Sequence, residues 1–541
     1  MKHLSLVITI LLLIPLFNSL TAQAGPINQP SRLSTGEILS LSASDAYPTL
    51  SEPVSLLVTV QGGATERFNE TILISDEFHG LVATDGHITW IAGNVTEPPI
   101  TLTIGNQASY KKKIPWYPSI VGNHTFHVIA GSFPVQNLTM SVSFDVEGVI
   151  SPSFGHPSIL TKDTTNELQV TMSETRTTTE APLQILATKL QAGDCSPSYS
   201  LDNMTSVWRT WVNAGPDHIQ DELIGEYNIS SIPDGFYDII VETSKQSYTW
   251  QHAVKIQTNT SKEITIAQLT DIHIGKYANF ANKKKELANL ITYMNENIHP
   301  DFVIVSGDSV DWYNKKSLRN VFNDFKGAFL ACDAPVFTTP GNHERYGNSL
   351  LFLYYPFTNL TSYHRFVNPL SDYSFDYGNV NFVFLDSGYD YSRWEIQPQI
   401  WNTTPEGSGL TATQIFLLNT TWGDAQLNQI ISMHHPAVYD SNDTGLGAVP
   451  NNLPSGNNNC IAFNRGVFID YCIKNNVSLV LTGHTHENHV FNSVGKTPLN
   501  LTAWPLFIQT RSSTLSGSDN GGRILHIKNG VVLSYEYLAF A

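Results

Sequence analysis

Pro335-Val336-Phe337-Thr338-Thr339-Pro340-Gly341-Asn342-His343-Glu344 runs from an apolar stretch into an Asn and a His side by side. A short apolar run closed by Pro-Gly reads as a buried strand leaving its sheet through a tight turn. Asn offers a neutral carbonyl oxygen to a cation. His ligates a metal or moves a proton near neutral pH. What these residues do depends on which other parts of the chain reach the same place.

Upstream, residues 263–270 read as a strand ending in Asp271-Ile272-His273. A helical stretch over 281–298 follows, with Leu287, Leu290, Ile291 and Met294 on one face. The buried run Phe302-Val303-Ile304-Val305 ends in Ser306-Gly307-Asp308, and a second helix over about 316–330 leads to the opening strand. This βαβαβ order predicts a parallel sheet with helical crossovers. Downstream the arrangement repeats. Phe382 to Leu385 ends in Asp386-Ser387, Gln429 to Met433 in His434-His435-Pro436, and Val477 to Leu481 in Thr482-Gly483-His484-Thr485-His486. Polar groups beyond the carboxyl ends of strands are where open α/β folds keep their sites.

The strand ends therefore gather Asp271, His273, Asp308, Asn342, His343, His434, His484 and His486. Alternate residues of an extended segment point the same way, so Asp271 with His273, and His484 with His486, can present ligands together. Carboxylate, imidazole and amide donors suit Fe, Mn or Zn. Eight groups exceed the needs of one ion, and two ions sharing a carboxylate would use them, with Asp308 on a central strand as the bridge.

Asp271-x-His273, Gly307-Asp308-x-x-Asp311, Gly341-Asn342-His343-Glu344, His434-x-Pro436 and Gly483-His484-x-His486 resemble, in order and strand-end context, the calcineurin-like metallophosphoesterase superfamily. The resemblance covers about residues 263–541, and residues 373–387 look like a core segment of the same family. It implies a four-layer α/β/β/α domain with two divalent or trivalent ions. Asp271, His273, Asp308 and His486 would hold one; Asp308, Asn342, His434 and His484 would hold the other. A bridging hydroxide would attack phosphorus, with His343 outside the metal set as proton donor to the leaving oxygen. Purple acid phosphatases place a Tyr three residues after the bridging Asp. Here that residue is Asp311, so tyrosinate coordination is not expected. Protein phosphatases carry Arg immediately beyond it, where this chain has Trp312. His435 is expected beside the site or facing substrate, Glu344 as an orienting carboxylate, and Glu487 and His489 as loop residues. Arg345 and Arg511 are candidate phosphate contacts, and the aromatic loop 346–365 a candidate cleft wall.

The front of the chain has another texture. Short alternating runs at 54–60, 71–74, 100–104, 124–130 and 140–146 are separated by Gly, Pro and Asn. After Gly148 come further runs at 168–172, 183–187 and 236–242. These predict an Ig-like β-sandwich over 25–148 and a second β-sandwich over 149–262. They would serve as spacer, anchor or shield, or make a cell-surface or carbohydrate contact. The whole is a multidomain protein, all-β in front and α/β/β/α behind.

Lys2, the apolar stretch 4–20 and Ala22-Gln23-Ala24 read as a signal peptide over 1–24, so the chain is expected to be secreted or extracytoplasmic, with no transmembrane span after cleavage. Asn-x-Ser/Thr sequons, among them Asn69, Asn94, Asn123 and Asn359, fit a glycoprotein. Spacing leaves the connectivity of the four cysteines open: Cys460 and Cys472 could pair across a short loop, with Cys195 and Cys332 as buried free thiols. A net charge of -17 argues against a nucleic-acid partner held by phosphate neutralisation. It leaves phosphate esters open, because bound cations reverse the local field. The reading is a metal-dependent phosphohydrolase, with monoesters ahead of nucleotide or glycerol-type diesters. The rival from another class is an adhesion protein retaining a relict metal site, and the complete ligand set counts against it.

Overall fold

Alternation builds the front of the molecule. In Val54–Gln61 every second side chain, Val54, Leu56, Val58 and Val60, is buried. They face Ile72, Ile74, Phe126, Val128 and Met140 from a second sheet, as two one-sided antiparallel sheets must. One sheet joins Glu37–Ala43, Val54–Gln61 and Ser109–Trp116. The other joins His87–Thr96, Phe68–Thr84, Val121–Ala130 and Gln136–Val142, with Ile100–Ile104 added to Phe68–Thr84. The run expected at 71–74 is part of the seventeen-residue strand Phe68–Thr84. Its far end carries Leu81 and Ala83 into the core of the C-terminal half, where the Trp422 indole donates to the Ala83 carbonyl at 2.9 Å. The front region is thus packed against the rest of the chain.

The computed structural model describes residues 37–539 except 62–67, 98, 105–108, 131–134, 194–196, 216, 276–279, 312–317, 346–359, 389–406, 424–426, 439–459, 499–503 and 515–519. The expected leader, Cys195, Trp312, Tyr313, Asn359 and most of the loop 346–365 lie outside the described residues. Two further sheets follow the first pair. Ser158–Thr161, Ser247–Gln257, Gly235–Thr243, Ile185–Gln191 and Ser198–Ser200 make one; Asn203–Gly215, His218–Asn228, Glu167–Thr177 and Gly148–Ser151 make the other. Leu168, Val170 and Met172 meet Ile239, Val241, Val254 and Ile256 between them.

The C-terminal half holds the expected four layers. One sheet contains β1 (Glu263–Leu269), β2 (Phe302–Ser306) and β3 (Val336–Thr339), all parallel. The second contains β4 (Tyr373–Tyr377), β5 (Val380–Phe384), β6 (Asn428–Ser432), β7 (Val477–Thr482), β8 (His489–Asn492) and β9 (Leu506–Gln509), with β5, β6, β7 and β9 parallel. The chain then returns to the first sheet as β10 (Gly521–Lys528) and the edge strand β11 (Val531–Ala539). The apolar runs divide by parity. Ile264, Ile266, Phe302, Ile304, Phe382, Phe384, Leu479 and Leu481 fill the space between the sheets. Ala267, Leu269, Val303 and Val305 turn outward to helices α1 (Phe280–Tyr293) and α2 (Leu318–Phe329). Val383, Ile431 and Val480 turn to the opposite helix layer, where α4 (Ala412–Thr420) and α5 (Arg465–Lys474) lie; the short α3 is Thr361–Phe366. Strands buried on both faces read as continuous apolar runs for this reason.

Two expectations change. The helix over 281–298 stops being α-helical at Tyr293 and finishes as a π-turn, Met294–Ile298. His299 closes it at φ 50, its N–H bonded to the Met294 carbonyl at 2.8 Å. Cys472 is a free, buried thiol, so the Cys460–Cys472 bridge does not form. Cys332 is also free and buried, and desolvation pushes its thiol up to about 11.

Candidate metal centre

Each strand end turns sharply because its residues leave the β region. Asp271, His273, Asp308, His484 and His486 all have φ between 50 and 67, and Gly307 has φ 84. A non-glycine residue in this left-handed region costs roughly 1–2 kcal/mol, and such strain collects where the surrounding structure overrides it at functional sites. Gly341 and Gly483 make the close approach possible. A Cβ on Gly341 would run into the Asp308 carboxylate, and one on Gly483 into Thr270 and Asp271.

All eight sequence-expected residues meet here. The His486 Nε2 lies 3.2 Å from Asp271 Oδ1 and 3.2 Å from His273 Nε2. Asp308 Oδ2 lies 3.3 Å from His434 Nε2, 3.7 Å from His343 Nε2 and 3.9 Å from His273 Nε2. The Asn342 amide oxygen is 2.9 Å from His434 Nε2. The His484 ring sits against those of His434 and His435, with centroids 5.2 and 4.5 Å away. Asp271, Asp308, His273 and His434 are buried, while His343 keeps 20% and His486 28% of its side chain exposed. The site therefore opens on the side of these last two.

Electrostatics follow from this crowding. Burial alone would raise the Asp308 carboxyl, but His434 and His343 more than reverse it and hold it well below the usual carboxylate range. Asp271 is lowered likewise, against its desolvation, chiefly by His486. Burial and the neighbouring His343 push His273 down to about 3, leaving a neutral imidazole. His434 goes the other way. Burial would lower it, yet Asp308 lifts it to about 10. Carboxylate oxygens, imidazole nitrogens and an amide oxygen converge on one point and call for positive charge there. Among the described residues, His, Asp and Glu side chains able to hold an ion group as Asp271-His273-His486, Asp271-Asp308-His434, His434-His435-His484 and His273-Asp311-His343. This donor set fits Fe, Mn or Zn.

Around the ligands, Glu344 is the organiser. Its buried carboxylate accepts from the N–H groups of Asp308 (3.0 Å), Ser309 (2.8 Å), Val310 (3.3 Å) and Gly341 (2.6 Å), and from the Ser309 hydroxyl (2.6 Å). It ties the Asp308 turn to the Asn342 turn, the orienting role expected of it. Asp311 lies between two imidazoles, 3.6 Å from His343 Nδ1 and 3.8 Å from His273 Nδ1. His435 exchanges hydrogen bonds with Ser387, its ring nitrogen at 2.9 Å and its N–H at 3.0 Å from that hydroxyl. Glu487 and His489 pair with each other at the surface, 2.8 Å apart. Arg345 corrects an expectation. It is buried and bonded to Asp386, so it does not reach into the cleft. An apolar strand and a following turn gave no sign of this, because its partner lies on a different strand end.

Residues 264–488 match the family described as calcineurin-like phosphoesterase. This part of the chain is a calcineurin-like phosphoesterase domain. A family of this kind implies a dinuclear metal centre acting on phosphate esters, and the Asp/His clusters are compatible with one. The chain is also similar to an uncharacterized metallophosphoesterase of Campylobacter jejuni, 38% identical over 109 residues, which is 19% of this chain. The matched part spans about a quarter of that relative's length, 26%. Among solved structures, a purple acid phosphatase from yellow lupin seeds aligns over 94% of both chains at 11% identity, with a TM-score of 0.41. Among the described residues no helix is long and apolar enough to cross a membrane.

Proposed function

We propose that the chain is a metal-dependent phosphoester hydrolase with a two-ion centre. Asp271, His273, Asp308 and His486 would hold one ion, and Asp308, Asn342, His434 and His484 the other. The observation that carries this reading is Asp308 Oδ2, which stands between His434 at 3.3 Å and His273 at 3.9 Å and so belongs to both clusters. When bound, such ions supply Lewis acidity toward a phosphoryl oxygen and lower the pKa of water. The protein's own part is placement. The buried Asp271 and Asp308 carboxylates bring negative charge to the ions, and Asn342 adds an oxygen without adding charge. His343 stands at the open side. Its Nδ1 faces Asp311 at 3.6 Å and its Nε2 faces Asp308 at 3.7 Å, and at the mouth of the site the imidazole acts as the proton donor to the leaving oxygen.

Sequence reasoning puts monoesters ahead of diesters. A monoester's second negative charge needs extra cationic groups, and the burial of Arg345 against Asp386 withdraws one of the two candidates. That observation favours diesters as a second reading. Hydrolysis of an aryl phosphate and of its bis-aryl diester, with Mn, Zn or Fe supplied, tests both. No turnover of either ester by the metal-loaded protein would overturn the proposal. His343→Ala should keep both ions and lose most turnover, roughly 10²–10⁴-fold for a missing general acid, whereas Asp308→Ala should lose ions and turnover together. Equal metal loss in the two variants would contradict the roles. We also propose that the protein acts outside the cytoplasm, on the strength of the leader pattern over 1–24.

A further inference from the structure

The Asp271–His273 turn is held in place by a segment outside the ligand motifs. After β9 the chain runs Thr510-Arg511-Ser512-Ser513-Thr514. Ser513 N–H donates to the Thr270 carbonyl at 2.9 Å, the Ser512 hydroxyl to the Asp271 carbonyl at 2.6 Å, and the Thr514 hydroxyl to the Ile272 carbonyl. In return the Thr270 N–H donates to the Ser513 hydroxyl at 3.1 Å. Three successive carbonyls of the turn are thus each taken by one of three successive residues. Ser512, Ser513 and Thr514 are all buried. Behind them, the Lys283 ammonium, brought in by α1 and also buried, donates to the Thr514 carbonyl at 2.6 Å and reaches its hydroxyl at 3.2 Å.

The other side of the turn is pinned separately. Asp271 N–H bonds the Gly307 carbonyl at 3.1 Å, His273 N–H the Asp308 carbonyl at 2.9 Å, and Ile274 N–H the Ser309 carbonyl at 3.0 Å. Buried backbone groups must all be satisfied. A turn with left-handed residues at 271 and 273 cannot satisfy its carbonyls within a regular ladder. The Ser512 and Thr514 hydroxyls and the Ser513 N–H supply donors at the spacing this irregular backbone needs. Without them the carbonyls would be stranded, and the turn would relax toward a conformation that aims Asp271 and His273 elsewhere.

We propose that Ser512, Ser513, Thr514 and Lys283 form a clasp of positioning residues that sets the geometry of the Asp271–His273 half of the centre and so its metal affinity. The proposal rests on the two-ion reading. The bonds of the clasp described above all go to the Asp271–His273 turn or run within the clasp. Its loss therefore acts on one ion.

The test uses the full chain, stripped with chelator and titrated with Mn²⁺, reading bound ion by calorimetry and electron paramagnetic resonance. Ser512→Ala is the mild variant, Thr514→Val removes the hydroxyl at constant shape, and Lys283→Met removes the anchor. Each should weaken one of the two Mn²⁺ steps about tenfold or more, the usual effect of losing a group that orients a metal ligand. The other step should be unchanged, and Thr514→Ser should restore wild-type binding. Unchanged affinity in Ser512→Ala and Thr514→Val, while wild type binds two ions, overturns the clasp alone. Equal weakening of both steps with a lowered melting temperature also overturns it, because the segment is then general scaffolding. A wild-type chain that takes up no Mn²⁺ overturns the two-ion reading and the clasp with it.

Discussion

Glu344→Gln isolates what one buried carboxylate does for the whole site. Two N–H groups, of Asp308 and Gly341, converge on Glu344 Oε2, and two N–H groups and the Ser309 hydroxyl converge on Oε1. A glutamine keeps one oxygen. The less costly choice leaves that oxygen with the three donors of Ser309 and Val310 and turns the amide NH₂ toward Asp308 and Gly341, donor against donor. A hydrogen bond to a charged group contributes about 1.5–3 kcal/mol, so losing two gives a destabilisation of roughly 3–6 kcal/mol. The loss falls between the Asp308 and Asn342 turns. Chemical denaturation reads the stability, and metal analysis with ester turnover reads the consequence. Bound metal and turnover should fall together, although Glu344 ligates nothing. A variant within about 1 kcal/mol of wild type, with two ions and full turnover, would refute the reasoning.

Other groups give separate tests. Arg345→Met should destabilise by about 3–5 kcal/mol, because it leaves Asp386 charged and buried, with KM for ester substrates unchanged. A raised KM at unchanged stability would return Arg345 to the cleft. Asp372 accepts from the Asp386 N–H at 2.8 Å and the Gln414 amide at 2.6 Å, and burial followed by the charge of Asp386 raises its carboxyl well above the usual range. A carboxyl raised by folding gives stability that is present below its unfolded pKa and lost as pH rises through the folded one, at about 1.4 kcal/mol per pH unit. Asp372→Asn should therefore flatten the fall in stability between pH 5 and pH 8 and be the more stable protein at pH 8. A steeper fall in the variant would show the sign to be wrong.

The ligand set was legible because parallel sheets put function beyond the carboxyl ends of strands, where apolar runs stop abruptly at polar residues. Asp271, Asp308, Asn342, His434 and His484 each follow such a run, and the structure brings all of them together. Glu344 was legible in kind but not in scope, since all its donors but the Gly341 N–H come from a turn about thirty-five positions upstream. Arg345 stands one residue further along, a candidate phosphate contact whose burial left no mark in the sequence. Basic residues near a phosphate site are common, and the residue that captures this one, Asp386, lies 41 positions away. Asp311 was read only as a departure from a tyrosine, yet it stands beside both His273 and His343. The Ser512-Ser513-Thr514 run left no usable mark. Short hydroxyl runs are frequent in any chain, and its partners are more than 240 positions away.

The sequence by itself determined which polar residues end the strands, and in what order they leave the sheets, because strand periodicity and ligand chemistry are both local. The tertiary structure alone decided how those residues are aimed. Left-handed backbone at the strand ends persists only where carbonyls and N–H groups find partners, and those partners come from the segment that follows β9, itself held by a lysine on α1, and from a glutamate on the next turn. Packing two sheets face to face is what brings these distant groups within hydrogen-bond reach, and no local pattern encodes that distance.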